Sequence, residues 1–327
     1  MEFLMKILGS GHYVPKNIVT NDDLSKIVDT NDEWISSRTG ISTRYISSGE
    51  GVSDLASKAA LLALEDANIS ASEIDMILVA TMTPDSMLPN NASIIQKNIG
   101  AINATCFDIN AACSGFLFAL NTAHAYLSSG MCKTILIIGA ETLSKIVDWT
   151  DRSSCVLFGD GAGAMVVTAD DSKSFYSVSG SDGSKGHVLT GGSTLLKNML
   201  VNKEETNILT DNYYMHMDGQ EVFKFAVTKV PECINKVLEK ASLTADDIDY
   251  YILHQANVRI ISSVAKRLGV SPEKLPVNLN KYGNTSAATI PILFDELRKD
   301  GTLDNAKYIV FSGFGGGLTW GASLIEL

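Results

Sequence analysis

The 327-residue sequence has no apolar run close to the roughly 20 residues that a membrane-spanning helix needs. Its first segment, MEFLMKILGSGHYVP, does not combine basic residues, a long apolar stretch and a small-residue cleavage site, so we interpret it as a strand ending in a turn. Low-complexity tracts are also missing, and 45% hydrophobic and 19% charged residues are typical of a folded chain. We expect a soluble, cytoplasmic protein that does not associate with membranes.

Cysteine is scarce and shows no pairing pattern. The five cysteines are odd in number and scattered, and none forms a close Cys or His pair of the kind that a zinc site needs. We therefore expect neither disulfides nor a structural metal. Positively charged residues are also fewer than negatively charged ones, and the formal net charge is −11. This charge argues against nucleic acid as a partner, and an anionic ligand would need a local basic patch.

A repeated pattern suggests two related halves. The segment LEDANISASEID, residues 64–75, is echoed 174 residues later by LEKASLTADDID, residues 238–249. In each copy a helix ends, a turn led by Ser or Thr follows, and a strand-like run begins, MILVAT in the first and YYILHQ in the second. The separation is too long for a solenoid and favours two layered α/β units, although chance similarity of two helix–strand junctions is the alternative.

Several continuous apolar segments predict buried strands with helices on both faces. They are TILIIGAE at 134–141, AMVVTA at 164–169, YIVFSG at 308–313 and GASLIEL at 321–327. The segment 172–217 is rich in Ser, Gly, Thr and Asn, and we expect a surface excursion between the halves with no role in chemistry.

The GDGAGA segment, residues 159–164, superficially matches a dinucleotide-binding glycine loop. That fingerprint should follow a strand and open a helix, whereas a β-branched run, MVV, comes next. A tight turn between strands is the better interpretation, and we expect no nicotinamide cofactor.

Cys113 lies at a predicted junction between a strand and a helix. The strand tip CFDINAA, residues 106–112, precedes it, and apolar residues at helical spacing follow over 116–126. Unpaired N–H groups and the helix dipole favour an anion at such a junction, which predicts a lowered thiol pKa and a nucleophile. Packing as a small hydrophobe is the alternative.

Three further segments place polar or flexible residues at strand ends. His254 lies in YILHQAN, at the carboxyl end of a predicted strand, where α/β sheets place ligand-facing residues. A structural histidine fits this position equally well. Asn284 follows a glycine, and an Asx turn before a helix beginning at Ala287 also explains it. FGGGLTWG, residues 314–321, allows close backbone approach and fits an oxyanion-binding loop better than a flexible turn.

With these segments the sequence resembles the β-ketoacyl-acyl carrier protein synthase III family of the thiolase superfamily over almost its whole length. Seven ordered blocks carry the resemblance: NDEWISSRTGI, NAACSGF, DRSSCVLFGDGAGA, GQEVFKFA, HQANVRI, YGNTSAA and FGGGLTWG. It implies an α/β, thiolase-like fold of two related halves that form a layered αβαβα core. Residues 1–171 would hold the nucleophile, and residues 172–327 would hold the histidine and the asparagine.

The resemblance implies a Cys-His-Asn site that starts type II fatty acid synthesis. Cys113 would take the acyl group from a short acyl-CoA. His254 and Asn284 would stabilise the enolate formed when malonyl-acyl carrier protein loses carbon dioxide, and the amides of Cys113 and Gly316 would form the oxyanion hole. The product would be 3-oxoacyl-acyl carrier protein, with no metal or redox cofactor required.

The resemblance also implies binding residues. Trp34 and Arg38, one helical turn apart, would hold the adenine of coenzyme A. Further coenzyme A and pocket contacts would come from Arg152, Phe223, Ala256 and Asn257. The acidic carrier protein would be steered by the helix after the HQAN block and its surroundings, where a solvated helix face is the alternative. This set comprises Lys224, Gln255, Arg259, Lys266 and Arg267.

One position departs from the family pattern. Leu88, in TMTPDSMLPN, stands where the family commonly has an aromatic residue, contributed across a homodimer to the end of the acyl pocket. Leu143 and Phe158 would line the same pocket. A smaller side chain predicts primers that are branched or longer than acetyl, but one methylene is worth only ~1 to 3 kcal/mol, so Leu88 alone does not decide the primer.

Three other functions are compatible with part of this pattern. A papain-like protease also uses Cys, His and Asn in this order, but the chain lacks a CGSCW-like block and has the α-loop-β echo. A related condensing acyltransferase of secondary metabolism would keep the fold and change the product. An inactive scaffold that only binds partners would not need a thiol, an imidazole and an amide at these three positions.

Overall fold

The computed structural model describes residues 5–192 and 213–327. Its strands are β1 (Met5–Tyr13), β2 (Asn17–Thr20), β3 (Thr43–Ile46), β4 (Met76–Ala80), β5 (Thr105–Ile109), β6 (Thr134–Glu141), β7 (Gly161–Ala169), β8 (Phe175–Ser181), β9 (Leu189–Thr190), β10 (His216–Met217), β11 (Tyr250–Leu253), β12 (Tyr308–Gly315) and β13 (Thr319–Glu326). Its α-helices are α1 (Asn21–Leu24), α2 (Asp32–Thr39), α3 (Val52–Ala67), α4 (Asn91–Ile99), α5 (Gly115–Ser128), α6 (Arg152–Cys155), α7 (Gly219–Ala241), α8 (Val258–Leu268), α9 (Leu279–Tyr282) and α10 (Thr289–Lys299). Within these ranges, no helix has both the length and the apolar character needed to cross a bilayer.

Two sheets organise the molecule. The first has the order β1-β7-β6-β4-β5, in which β4 is parallel to β5 and β6, and β7 is antiparallel to both of its neighbours. The second has the order β11-β12-β13-β8, with only the β11–β12 pair parallel. The strands predicted from the four apolar segments are confirmed as β6, β7, β12 and β13.

Helices cover both faces of each sheet. Successive side chains of a strand point to opposite faces, so each strand contacts helices on both sides. In β6, Ile135 and Ile137 pack with α5 and α10 between the two sheets, whereas Leu136 and Ile138 pack against α3 and α4 outside. The outer face of the second sheet packs against α7 and α8. The resulting order of layers, helix, sheet, helix, sheet and helix, confirms the predicted thiolase-like α/β fold.

The repeated α-loop-β unit of the sequence is a structural repeat. Both copies end a long helix on a left-handed residue, Asn68 after α3 and Ser242 after α7, and continue through a 3-10 turn into a strand. Asp75 then accepts two backbone N–H groups at the start of β6, and Asp249 accepts two at the start of β12, at 2.7 to 3.0 Å. The division of the chain into domains at residue 171 stays a prediction.

The expectation of a surface excursion over 172–217 is wrong for part of that segment. Phe175–Ser181 forms β8, which pairs antiparallel with β13 at the edge of the second sheet. The strand was not predicted because the segment is rich in Ser and Gly. Glycine is required at position 180, because a Cβ there would lie 2.5 Å from the Trp320 ring. The stretch 193–212 lies outside the described residues.

The expectation of a tight turn at GDGAGA is also wrong. Gly161 and Gly163 lie inside β7. A Cβ on Gly163 would come within 2.8 Å of the Ile292 backbone nitrogen and of Pro291 Cβ. These glycines therefore allow α10 to pack closely on the strand.

Candidate active site

A cavity of about 750 Å³ opens at the ends of β11 and β12 and at the turn that precedes α5. Cys113, His254 and Asn284 all line it, although they are far apart in the sequence. The fold thus brings the three predicted reactive residues to one place.

Cys113 occupies a 3-10 turn, Ala112–Ser114, that leads directly into α5. The turn is held from the second sheet, since the Ser114 hydroxyl lies 2.8 Å from the Thr319 hydroxyl. A Cβ on Gly315 would lie only 2.6 Å from the Cys113 backbone nitrogen. Glycine is required at the end of β12 because the nucleophile turn packs directly against it.

The predicted lowering of the Cys113 pKa is wrong. The pKa of this thiol is raised to about 12, mainly by burial, and the nearby Glu141 carboxyl contributes to the rise. Hydrogen bonding from Ser286 and from the amide of Cys113 itself lowers the pKa, but by less than burial raises it. The thiol is therefore protonated at neutral pH when no substrate is bound.

His254 directly follows β11 and is buried. Burial lowers the pKa of its imidazole to about 3, so the ring is neutral. Its Nδ1 lies 2.7 Å from the Thr289 hydroxyl, which can donate its single proton to the Ser286 carbonyl oxygen at 2.9 Å. If that proton goes to Nδ1 instead, the Nε2 atom of His254 carries a proton and becomes a hydrogen-bond donor.

Asn284 forms the predicted Asx turn. Its side-chain oxygen accepts the Ser286 N–H at 2.8 Å, which leaves its amide NH₂ as a donor. The segment that follows is a 3-10 turn, Ser286–Ala288, continuing into α10, close to the predicted helix start.

Sequence reasoning missed two residues at the site, Glu141 and Ser286. Glu141 ends β6, has no exposed surface, and accepts hydrogen bonds from the Ser286 hydroxyl and from the loop after β4. Burial raises the pKa of its carboxyl to about 7. An acidic residue ending an otherwise apolar buried strand was the available signal in TILIIGAE.

The residues predicted to hold coenzyme A meet at the surface. The guanidinium carbon of Arg38 lies 4.7 Å from the Trp34 ring centroid, and that of Arg152 lies 4.9 Å from it. Phe223, Ala256 and Asn257 line the cavity.

Most of the residues predicted to bind a carrier protein are exposed on α7 and α8, namely Lys224, Arg259, Lys266 and Arg267. Gln255 is the exception, because only 1% of its surface is exposed. Its side chain donates to the Leu253 carbonyl and accepts the Asn278 N–H. The prediction that Gln255 contacts a carrier protein is therefore wrong, and its role is to join two loops beneath the site.

The three predicted acyl-pocket residues are separated in the single chain. Leu143 and Phe158 line the cavity, whereas Leu88 lies in an exposed loop with 88% of its surface accessible. Asp85 anchors this loop by accepting the first N–H groups of α3. The placement of Leu88 across a dimer stays a prediction.

The layered fold and the convergent thiol, imidazole and amide define a thiolase-like condensing enzyme. Comparison with known proteins specifies the family. The family model described as 3-oxoacyl-[acyl-carrier-protein (ACP)] synthase III matches residues 107–183, and the model for its C-terminal part matches residues 238–327. The curated beta-ketoacyl-[acyl-carrier-protein] synthase III of Clostridium acetobutylicum is 52% identical over 323 residues and covers 98% of both chains. That of Streptococcus mutans is 49% identical, covering 98% of this chain and 99% of the relative.

Solved structures agree with the family models. The 3-oxoacyl-[acyl-carrier-protein] synthase III of Aquifex aeolicus superimposes with a TM-score of 0.91 at 45% identity and covers 99% of this chain and 100% of the other. A priming β-ketosynthase from the R1128 polyketide pathway has a TM-score of 0.91 at 33% identity, with 99% and 96% covered.

The chain therefore belongs to the β-ketoacyl-[acyl-carrier-protein] synthase III family. It is the initiating condensing enzyme of fatty acid synthesis and transfers acyl groups. A role in secondary metabolism is not favoured by the curated relatives, and the papain-like alternative is wrong.

Proposed function

We propose that the chain condenses a short acyl-CoA with malonyl-acyl carrier protein, releases carbon dioxide and forms 3-oxoacyl-acyl carrier protein. The observation that carries this proposal is the convergence of Cys113, His254 and Asn284 on one cavity. The proposed reaction uses no metal and no redox cofactor.

In the first half-reaction, the Cys113 sulfur attacks the thioester carbonyl of the acyl-CoA. A bond from sulfur to the acyl carbon forms, the bond to the coenzyme A sulfur breaks, and an acyl-enzyme results. The amides of Cys113 and Gly316 stabilise the tetrahedral oxyanion. The close packing of Gly315 on the Cys113 amide supports this assignment, because it brings the two backbone segments together.

In the second half-reaction, His254 and Asn284 donate hydrogen bonds to the thioester oxygen of the malonyl group. These bonds stabilise the enolate that forms as carbon dioxide leaves. The enolate carbon attacks the acyl-enzyme, and the Cys113 sulfur is the leaving group. The Asx turn that frees the Asn284 NH₂ fits a donor role, and the neutral ring of His254 fits one when the Thr289 hydroxyl donates to its Nδ1.

The two substrates approach from the cavity mouth. Adenine takes the place of one guanidinium group on the Trp34 ring, so that it lies between the indole and an arginine, either Arg38 or Arg152. Phe223, Ala256 and Asn257 form the wall or gate of the passage to the thiol.

The acidic carrier protein docks on the exposed basic residues of α7 and α8: Lys224, Arg259, Lys266 and Arg267. The enzyme works in the cytoplasm as a homodimer, and Leu88 of each chain closes the acyl pocket of the other. Branched primers or primers longer than acetyl are then preferred. Turnover of acetyl-CoA equal to or better than that of isobutyryl-CoA and butyryl-CoA would contradict this preference.

The test is intact-protein mass spectrometry after mixing with acetyl-, isobutyryl- or butyryl-CoA, with Cys113→Ser as the control. We expect an acyl mass increment in the wild type that is absent from the variant. Malonyl-acyl carrier protein should then remove the increment and yield 3-oxoacyl-acyl carrier protein. No increment with any of the three thioesters would mean that Cys113 does not accept short acyl-CoAs.

A further inference from the structure

The proposed mechanism gives no role to the buried carboxyl group of Glu141, which ends β6 at the site. Glu141 is fully buried, and its carboxylate accepts from the hydroxyl groups of Thr81, Thr83 and Ser286 and from the backbone N–H groups of Met82 and Thr83. Three of these four residues, Thr81, Met82 and Thr83, complete a cradle that would hold any buried carboxylate. Ser286 differs because it lines the cavity with Cys113 and its hydroxyl acts on the pKa of that thiol.

Ser286 lies between Glu141 and Cys113. Its hydroxyl oxygen lies 3.1 Å from Glu141 Oε1 and 3.8 Å from the sulfur of Met82. The single hydroxyl proton goes to the carboxylate, since a charged acceptor is much stronger than a thioether. A lone pair of the Ser286 oxygen is then free to face Cys113, which lines the same cavity and whose pKa the Ser286 side chain lowers.

The position of Ser286 is fixed by the turn that positions Asn284. Its backbone N–H donates to the Asn284 side chain at 2.8 Å, and its φ of 51° lies in the left-handed region. Its carbonyl oxygen lies 2.9 Å from the Thr289 hydroxyl, which is also the partner of the catalytic imidazole. The hydroxyl therefore has little freedom to turn away from Cys113 and Glu141.

The electrostatics of this cavity allow one negative charge more readily than two. Among the described residues, the titratable groups that face Glu141 are Cys113 from the turn before α5 and Lys145 from the 3-10 turn after β6. The Lys145 ammonium is directed to the carbonyl oxygens of Thr83 and Pro84, and Asp85 and Asp160 also act on it. A thiolate and a carboxylate on either side of Ser286 would repel each other without a cation between them.

We propose that Cys113 and Glu141 share one proton through the Ser286 hydroxyl, and that Glu141 is the base that takes the thiol proton. The S–H bond breaks, the Ser286 oxygen gains that proton, and its original proton passes to Glu141 Oε1. The electron pair stays on sulfur, so the cavity holds one negative charge before and after the transfer.

This inference rests on the proposed function for the fate of that proton. After the thiolate has attacked the acyl-CoA carbonyl, the coenzyme A sulfur leaves with the electron pair of the broken bond. Glu141 returns the proton through Ser286 to this sulfur, and coenzyme A departs as a thiol. The carboxyl ends the half-reaction ionised, as it began.

Iodoacetamide tests the shared proton without any thioester. The rate of carboxamidomethylation at Cys113, followed by peptide mass spectrometry from about pH 5.5 to about pH 9, reports the thiolate that is available to react. In the wild type, the rate should rise through the Glu141 pKa of about 7 and then level off. In Glu141→Gln, this step should vanish, and the rate near pH 7.5 should fall roughly tenfold or more.

If Glu141 had a purely structural role, Glu141→Gln would change the alkylation rate of Cys113 in the opposite direction. Replacing a neighbouring negative charge by a neutral amide would lower the pKa of the thiol, so Glu141→Gln would then react faster than the wild type near neutral pH. A faster or unchanged rate in the folded variant overturns the proposal.

Two further variants keep the test decisive if Glu141→Gln folds poorly. Ser286→Ala removes the relay hydroxyl and leaves both end groups, so it should lose the same step in the pH profile. A wild-type profile in folded Ser286→Ala overturns the relay. Asp160→Asn is the matched control, because it removes another buried carboxyl whose partners are Ser47 and Ser144. It should retain the step.

The same proteins separate this inference from the proposed function. If acyl-CoA labels Cys113 but alkylation is indifferent to Glu141→Gln, the proposed function stands and the shared proton is refuted. If the alkylation step depends on Glu141 but no acyl-CoA labels the thiol, the shared proton stands and the proposed function is refuted.

Discussion

Burial shifts Cys113, His254 and Glu141 toward their uncharged forms. It raises the pKa of Cys113 to about 12 and that of Glu141 to about 7, and it lowers that of His254 to about 3. Desolvation is the largest cause in each case. The site is therefore weakly charged and receptive to an apolar acyl chain, and reactivity must come from moving protons within the site.

The Thr289 hydroxyl sets which nitrogen of His254 carries the proton. In Thr289→Val, the imidazole loses the polar partner that the described residues place at Nδ1, so the Nε2–H donor is no longer favoured. We expect condensation with malonyl-acyl carrier protein to fall roughly tenfold to a hundredfold. Acylation of Cys113, which does not use this donor, should change little.

Thr289→Ser is the matched control, because it keeps the hydroxyl. Both half-reactions can be followed separately, acylation by mass spectrometry and condensation by product formation. Wild-type condensation in folded Thr289→Val would show that the hydroxyl does not set the tautomer.

The identity of the reactive residues was predictable from sequence, but their chemical state was not. Cys113, His254 and Asn284 lie at strand ends or turns next to glycine or a helix start. These local signals can be recognised from the sequence alone. Glu141 and Ser286 are 145 residues apart and acquire a role only when two sheets meet. The thiol pKa depends on burial by the whole fold, which outweighs the local helix terminus.

At the scale of elements, the nucleophile turn and the asparagine turn are copies of one design. Ala112 and Ser286, 174 residues apart, are both left-handed, with φ of 46° and 51°. Each begins a 3-10 turn that leads into a central helix, α5 or α10. The same backbone device thus presents the thiol from one copy of the repeat and the donor turn from the other.

A second prediction concerns the contact between β12 and the nucleophile turn. In Gly315→Ala, the new Cβ would lie 2.6 Å from the Cys113 nitrogen and 3.0 Å from that of Ser114, and both are backbone atoms that cannot turn aside. We expect a loss of roughly 1 to 3 kcal/mol in the free energy of unfolding. Cys113 acylation should fall as well, because the turn must move.

Gly183→Ala provides the matched control, since no atom of residues 5–192 or 213–327 lies within 4 Å of its added Cβ. Thermal unfolding and acylation by acyl-CoA are the two measurements. If Gly315→Ala were as stable and as reactive as Gly183→Ala, the close approach of β12 to the nucleophile turn would be wrong.

Elements with strong apolar continuity were predictable, and those that depend on a neighbour were not. The strands β6 and β12 are buried on both faces and are apolar throughout their cores. In contrast, β8 has the sequence FYSVSGS, and it is a strand because β13 supplies its hydrogen bonds. Gly161 and Gly163 likewise make sense only beside α10.

At the scale of the whole molecule, a chain of net charge −11 must attract an acidic carrier protein through a local patch. The double charge reversal Lys266→Glu with Arg267→Glu should raise the KM for malonyl-acyl carrier protein roughly tenfold or more and weaken its dependence on salt. Self-acylation by acyl-CoA should remain at the wild-type rate, because it involves no carrier protein.

The control for this third prediction makes the same change of charge elsewhere. Lys97→Glu with Lys133→Glu alters exposed residues on the first sheet's side of the molecule. If both double variants raised the KM equally, net charge rather than a docking patch would govern the encounter.

Leu88 links primer choice to assembly. Leu88 is 88% exposed in the single chain and can affect the acyl pocket only if a second copy places it there. In a dimer of this kind, Leu88→Phe fills the pocket end and should raise the ratio of kcat/KM for acetyl-CoA to that for isobutyryl-CoA roughly tenfold, or ~1.4 kcal/mol. Met87→Phe makes a similar change at the neighbouring residue, which is 82% exposed, and should leave the ratio unchanged.

Light scattering would report the assembly in parallel. A dimer whose ratio ignores Leu88→Phe would remove this residue from the pocket, and a monomer active at wild-type level would remove the need for a second chain.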